Sequence, residues 1–131
     1  MRFMLMMHAP RGTGDWAVMK WPPADLKAHI DFMHNLNKQL VSEGAFVTAQ
    51  GLAGPGDARI VRATKSGVPA VTDGPYAEGK EFLAGYWIID CASADQAYAI
   101  AARASVAPGP GGTPLYIPIE VRQVMSAPPT D

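Results

Sequence analysis

An α+β fold, with two helices laid over one face of an antiparallel sheet, is predicted for this chain by three observations. Apolar residues recur at helical spacing in two stretches only, after Pro22-Pro23 and after Ser93. Around these stretches lie short runs rich in β-branched and aromatic residues, each bounded by Gly, Pro or Asp. Two of the runs are apolar on both alternating faces, so they belong to a sheet that is covered on both sides.

Taken in order, residues 2–8 form the first strand, in which Phe3, Leu5 and Met7 alternate with Met4, Met6 and His8. Residues 9–21 contain Pro10, Gly12, Gly14 and Asp15 and read as a loop long enough to move or to cover something. Pro22 and Pro23 then open a helix, because proline suits the first turn, where its missing N–H is not needed. The helix runs to about Glu43, and Gly44 stops it. Leu26, Ile30, Met33, Leu36 and Leu40 form its sheet-facing stripe, with Lys27, Asp31, His34 and Lys38 on the opposite, solvated face. Residues 46–52 form a second strand and Gly54-Pro55-Gly56 a turn. Residues 58–64 are a third strand, and Ser66-Gly67 leads to a short strand at 68–71.

Asp73-Gly74-Pro75 is a turn, since proline forces its predecessor to be extended and donates no hydrogen bond. Asp73 is expected to fold back onto the backbone N–H groups that follow it. Residues 82–90 form a long strand with Phe82, Ala84, Tyr86 and Ile88 on one face and Leu83, Gly85, Trp87 and Ile89 on the other. Ser93 and Gln96 make a capping box that opens a second helix. Its face is a slim row of Ala97, Ile100, Ala101 and Ala104, and it ends near Ala107. Residues 108–114 are too rich in Pro and Gly for regular structure. Residues 115–125 are the last strand, with Pro118 confining that part to an edge or a bend. Residues 1–125 thus read as one domain and 126–131 as a flexible tail.

This order is the split βαβ pattern of a ferredoxin-like domain. Two helices cover one face of its sheet. The first strand and the strand at 82–90 are apolar on the other face as well, so a homodimer that stacks sheet on sheet is expected.

Composition narrows the function classes. Hydrophobic residues make up 48% and charged residues 18%, an apolar globular balance rather than a disordered one. The net charge of −1 and the absence of a basic stripe argue against nucleic-acid binding. The apolar Met1–His8 run is too short for a signal-peptide core or a membrane span, so a cytoplasmic location and no membrane partner are expected. Cys91 stands alone and suits a small buried residue at a strand end. Three scattered histidines show no metal-ligand spacing, and neither a phosphate-binding loop nor a nucleophile elbow is present. No cofactor or metal is therefore expected.

The chemistry concentrates between Asp73 and Glu81, where Asp73, Tyr76, Glu78, Lys80 and Glu81 fall close together at the mouth of the sheet. Carboxylates beside a lysine in a partly dry cleft suit acid/base work or a charge clamp. Equally, Asp73 suits a turn cap, and the others suit solvated or paired surface charges. His8 ends the first strand on the face of Met4 and Met6, where an imidazole can shuttle protons near neutral pH. Asp73, His8, Glu78 and Lys80 are the candidate catalytic residues. Tyr76, Tyr86, Glu120 and Arg122 are the candidate ligand-binding residues, the last two sharing one face of the final strand with Tyr116, where they bind an anion or pair with each other. Arg103 is expected in an ion pair of the same cleft. His29, at the edge of the helix stripe, and His34, on its charged face, read as structural.

The run Asp73-Gly74-Pro75-Tyr76-Ala77-Glu78-Gly79-Lys80-Glu81, leading into an apolar strand, resembles the signature of the YCII-related family. The branch it resembles is named for an Asp-Gly-Pro-Phe motif, with Tyr76 here in the fourth place. The resemblance extends to the opening strand, the helix after Pro22-Pro23, Glu43-Gly44 with the strand behind it, and Ile119–Val124. It implies a ferredoxin-like domain pairing into a dimeric α/β barrel, with activity mostly undetermined. One relative acts as a dehydrochlorinase, and related domains occur attached to sigma factors. Many relatives carry Tyr in place of His8. Some use a His-Asp pair whose histidine comes from near the start of the first helix. Neither His29 nor His34 sits in that local pattern, and no aspartate occurs at 105–108, so the pair is not carried over. The expectation is a small cofactor-free enzyme doing acid/base chemistry on a small metabolite in the dimer cleft. The alternatives are a non-catalytic sensing or interaction module, and a motif that serves folding and dimerisation alone.

Overall fold

The computed structural model describes residues 1–10, 20–74 and 81–126. Most of the expected first loop, the candidate residues Tyr76, Glu78 and Lys80, and the end of the expected tail lie outside them. The elements are β1 (Arg2–Pro10), α1 (Pro23–Ser42), β2 (Phe46–Gly51), β3 (Arg59–Arg62), β4 (Ala70–Asp73), β5 (Glu81–Asp90), α2 (Ala94–Ser105) and β6 (Ile119–Gln123). The main sheet has the order β2-β5-β1-β6, with every neighbouring pair antiparallel, and β3 and β4 form a separate hairpin. α1 thus crosses from β1 past β5 to β2, and α2 from β5 past β1 to β6, which is the ferredoxin-like arrangement.

The helix ends are where local chemistry placed them. After α1, Gly44 has φ 75°, a left-handed conformation that glycine adopts without a Cβ clash. Its N–H donates to the Val41 carbonyl, and the next N–H, of Ala45, donates to that of Leu40. This paired closure absorbs carbonyls the helix would leave unbonded, and the buried Ala45 and Leu40 seal it. At the start of α2, Ser93 Oγ accepts from the Gln96 N–H, while Gln96 Oε1 accepts from the Ala92 N–H, so the box is closed one residue further back than expected.

The core lies between the helices and one face of the sheet. Phe3, Leu5 and Met7 of β1 and Trp87 and Ile89 of β5 pack against Leu36 and Leu40 of α1 and Ala97, Ile100, Ala101 and Ala104 of α2. The alanine row lets α2 lie close to the sheet, as its spacing predicted. Arg103 is not part of the open sheet face: it donates to Glu43 Oε2 at 2.9 Å and Gln39 Oε1 at 2.8 Å, tying α2 to the end of α1.

Four expectations change. β5 does not alternate cleanly, because a bulge opposite Met7/His8 pairs Met7 with Gly85 but His8 with Leu83. One extra residue reverses the alternation. Phe82 therefore opposes Ala9 of the helix-side row, and Leu83 opposes His8 of the other row. Second, the last strand starts at Ile119 and not at 115. Tyr116 has φ 50°, and the chain before Pro118 binds α2 instead, with the Ile117 N–H donating to the Ser105 carbonyl and Ser105 Oγ donating back to the Ile117 carbonyl. Tyr116 accordingly does not share a strand face with Glu120 and Arg122. Third, β4 runs on to Asp73, whose carboxylate faces Arg59 across the hairpin at 3.7 Å, while the expected turn at 73–75 passes at Pro75 outside the described residues. Fourth, Ile30 is 42% exposed and leaves the core stripe of α1, for a reason that lies in the cleft described next.

Candidate functional site

The predicted site residues that the structure describes fall in two places. On the open face of the sheet, β-register sets His8, Met4 and Met6 of β1 beside Leu83, Tyr86 and Ile88 of β5 and Glu120 and Arg122 of β6. His8 Nε2 and Glu120 Oε1 are 2.9 Å apart, so the partner of the Glu120 carboxylate is this imidazole and not Arg122, one of the two expectations for that pair. Arg122 pairs in register with Met4, one step along. The His8 and Glu120 side chains keep 28% and 48% of their exposure, which makes the pair a solvated one worth about 0–1 kcal/mol on this chain alone. Asp73 lies elsewhere, on the β3–β4 hairpin, with its side chain almost fully exposed. Tyr76, Glu78 and Lys80 are outside the described residues.

Among the described residues a concavity lies on the helix side, between α1 and the β2–β5 edge. It measures about 760 Å³, within the range of small-molecule sites. α1 contributes His29, Ile30, Met33, His34 and Asn37. β5 contributes Phe82 and Ala84–Trp87, and the chain leaving β2 contributes Leu52–Pro55. Helical geometry explains the split duty of α1: Leu36 and Leu40 in its C-terminal half are buried in the core, whereas Ile30 in its N-terminal half is a wall of the cleft. The exposed isoleucine is cleft lining, not a misplaced core residue.

Two contacts order the cleft. The indole N–H of Trp87 donates to Asn37 Oδ1 at 2.9 Å, which satisfies a tryptophan that is 5% exposed and turns the Asn37 amide so that its NH2 group points away from the indole. His29 lies against the loop that follows α2. Its Nδ1 is 2.9 Å from the Pro108 carbonyl oxygen, and its ring meets Trp21 edge-on at 5.4 Å between centroids. A carbonyl only accepts, so Nδ1 carries a proton in this bond. The same loop is held a turn earlier on α1, where the Gly111 N–H donates to Asp25 Oδ2 at 3.1 Å.

His29 and Asn37 were not among the candidates. The one available signal was their i, i+4, i+8 spacing with Met33, which sets two polar residues in a row that otherwise points at the sheet. The segment that meets His29 is the one where an aspartate was sought and not found; a backbone carbonyl stands there instead. Among the described residues no group of three or more His, Cys, Asp or Glu comes together to hold a metal ion. No described helix is long and apolar enough to cross a membrane.

A family model described as a YCII-related domain matches residues 1–111 of the 131. No curated protein matches the chain.

Proposed function

The chain belongs to the YCII-related domain family, and on that premise we propose that it is a small enzyme that moves protons on a small metabolite held between α1 and the sheet, without a cofactor. The observation that carries this reading is the His29 ring on the cleft wall, with Nδ1 anchored on the Pro108 carbonyl. An imidazole anchored at one nitrogen is held in a fixed orientation on the cleft wall, and the carbonyl stabilises the ring when it takes up a proton. The apolar walls would keep bulk water from the reacting atoms. Asp73-Gly74-Pro75-Tyr76 supports placing the chain in the Asp-Gly-Pro-Phe branch of the family. The segment carrying Tyr76, Glu78 and Lys80 runs directly into Glu81 and the cleft residue Phe82, which keeps these side chains as candidates for further acid/base or clamping roles.

A second reading rests on the His8–Glu120 pair. A carboxylate orienting an imidazole is the arrangement of a general base, and a second copy stacked on the open face would enclose it with Tyr86 and Arg122. The non-catalytic alternative is a sensing module that uses the same cleft to bind and release a ligand unchanged.

The test begins with a thermal-shift screen of small metabolites, followed by turnover assays on each ligand found. Under the first reading, His29→Gln binds the ligand but loses turnover, while His8→Ala and Asp73→Asn keep it. Turnover lost in His8→Ala and kept in His29→Gln would move the chemistry to the open face. Binding without any chemical change to the ligand would support the sensing module.

A further inference from the structure

We propose that the cleft selects a flat organic anion, an aromatic or fused-ring body bearing one carboxylate or phenolate. This rests on the proposal that the α1–sheet cleft is the ligand site, and it names the ligand class.

The shape argument comes from the glycines. Gly51 of β2 and Gly85 of β5 are register partners, so one strip of the cleft floor is bare backbone. A Cβ on Gly85 would stand 3.0 Å from the Gln50 carbonyl oxygen, whereas one on Gly51 would meet nothing within 4 Å. The strands therefore close tightly at Gly85 and leave open space over Gly51. Trp87 lines the same cleft, as do Ile30 and Leu52, 42% and 45% exposed. A planar apolar body fits between such walls and removes their surface from water.

The charge argument comes from the ionisable groups. The chain as a whole is slightly acidic, with 12 Asp and Glu against 11 Lys and Arg. Among the described residues that line the cleft, the ionisable side chains apart from Tyr86 are Lys20, His29 and His34, and none is a carboxylate. Lys20 therefore gives the described lining a positive sign. The Asn37 amide adds to this, since its oxygen is occupied by the Trp87 N–H and its remaining hydrogens are donors. The described lining of the cleft, with donors at Lys20 and Asn37 and no carboxylate, satisfies an oxyanion and leaves an ammonium group unpaired.

The test is isothermal titration of the full chain with three matched probes: 2-naphthoate, the neutral 2-naphthamide and the cationic 2-naphthylmethylamine. The proposal expects the carboxylate to bind more than about tenfold more tightly than the amide, and the amine not to bind. It expects the Lys20→Met/His34→Leu double variant to lose that preference while melting at the wild-type temperature, since both side chains lie on the surface. Gly51→Phe, which fills the open space, should abolish binding of the carboxylate, and Ile30→Trp does the same from the helix side if Gly51→Phe does not fold. Equal binding of carboxylate and amide would overturn the anion class and leave the cleft as the ligand site. Carboxylate binding that survives both Gly51→Phe and Ile30→Trp, or failure of all three probes, would overturn the cleft itself as their site.

Discussion

Asn37 shows how one polar atom can set both stability and site geometry. Its oxygen is the partner of a buried indole N–H, and removing it leaves that donor unsatisfied at a cost of about 1–3 kcal/mol. Asn37→Ala should therefore lower the urea midpoint by a corresponding amount, and an unchanged midpoint would show that water replaces the amide. At His29 the expectation is different. His29→Gln keeps a side-chain N–H that can reach the Pro108 carbonyl, so it should fold like the wild type. Turnover of an identified substrate should fall by about 10²–10⁴, the range general acid/base catalysis supplies. A loss of stability equal to the loss of turnover would instead mark His29 as a strut between α1 and the loop after α2.

The elements are held by their ends as much as by their faces. Gly44 closes α1 in a left-handed conformation that costs a residue with a Cβ about 1–2 kcal/mol, so Gly44→Ala should lower the melting temperature although its Cβ would touch nothing. Ser93→Ala removes the cap of α2 and should cost about 0.5–2 kcal/mol by chemical denaturation. Both signals were legible in the sequence, because a cap is chemistry between residues a few positions apart. The bulge in β5 was not. Nothing in Phe82-Leu83-Ala84-Gly85 marks which residue is extra, and only pairing with β1 reveals that the alternation reverses there. The same blindness affected Asp73, whose turn-like neighbours hid its place at the end of β4 opposite Arg59.

At the scale of the whole molecule, the two faces of the sheet are unequal. One is filled by the helices, and the other carries Met4, Met6, Leu83 and Ile88, each half-buried on this chain alone. The proposed homodimer stacks these faces about 10 Å apart. Ile88→Lys places a charge in the middle of that contact and should convert a dimer to a monomer in size-exclusion light scattering while circular dichroism stays unchanged. A wild-type chain that runs as a monomer at micromolar concentration would remove the dimer, and with it the enclosure of His8 and Glu120. The α1–sheet cleft would be unaffected, since the residues described there come from one chain.

The sequence by itself determined the two helices, their caps, the alanine face of α2, the split βαβ order and the doubly apolar strands. Each of these is written in periods and end signals that act over a few residues, where backbone geometry leaves few choices. It also brought out His8 and Glu120 as candidates without joining them. Tertiary structure decided which groups meet: His8 with Glu120 across 112 positions, His29 with the Pro108 carbonyl across 79, Trp87 with Asn37 across 50. It also decided that a cleft opens on the helix side, because that depends on where α1 leaves the sheet beside a pair of bare glycines. Such contacts arise from strand register and from the way helices sit on a sheet, and a change of one residue in register gives every side chain a different neighbour.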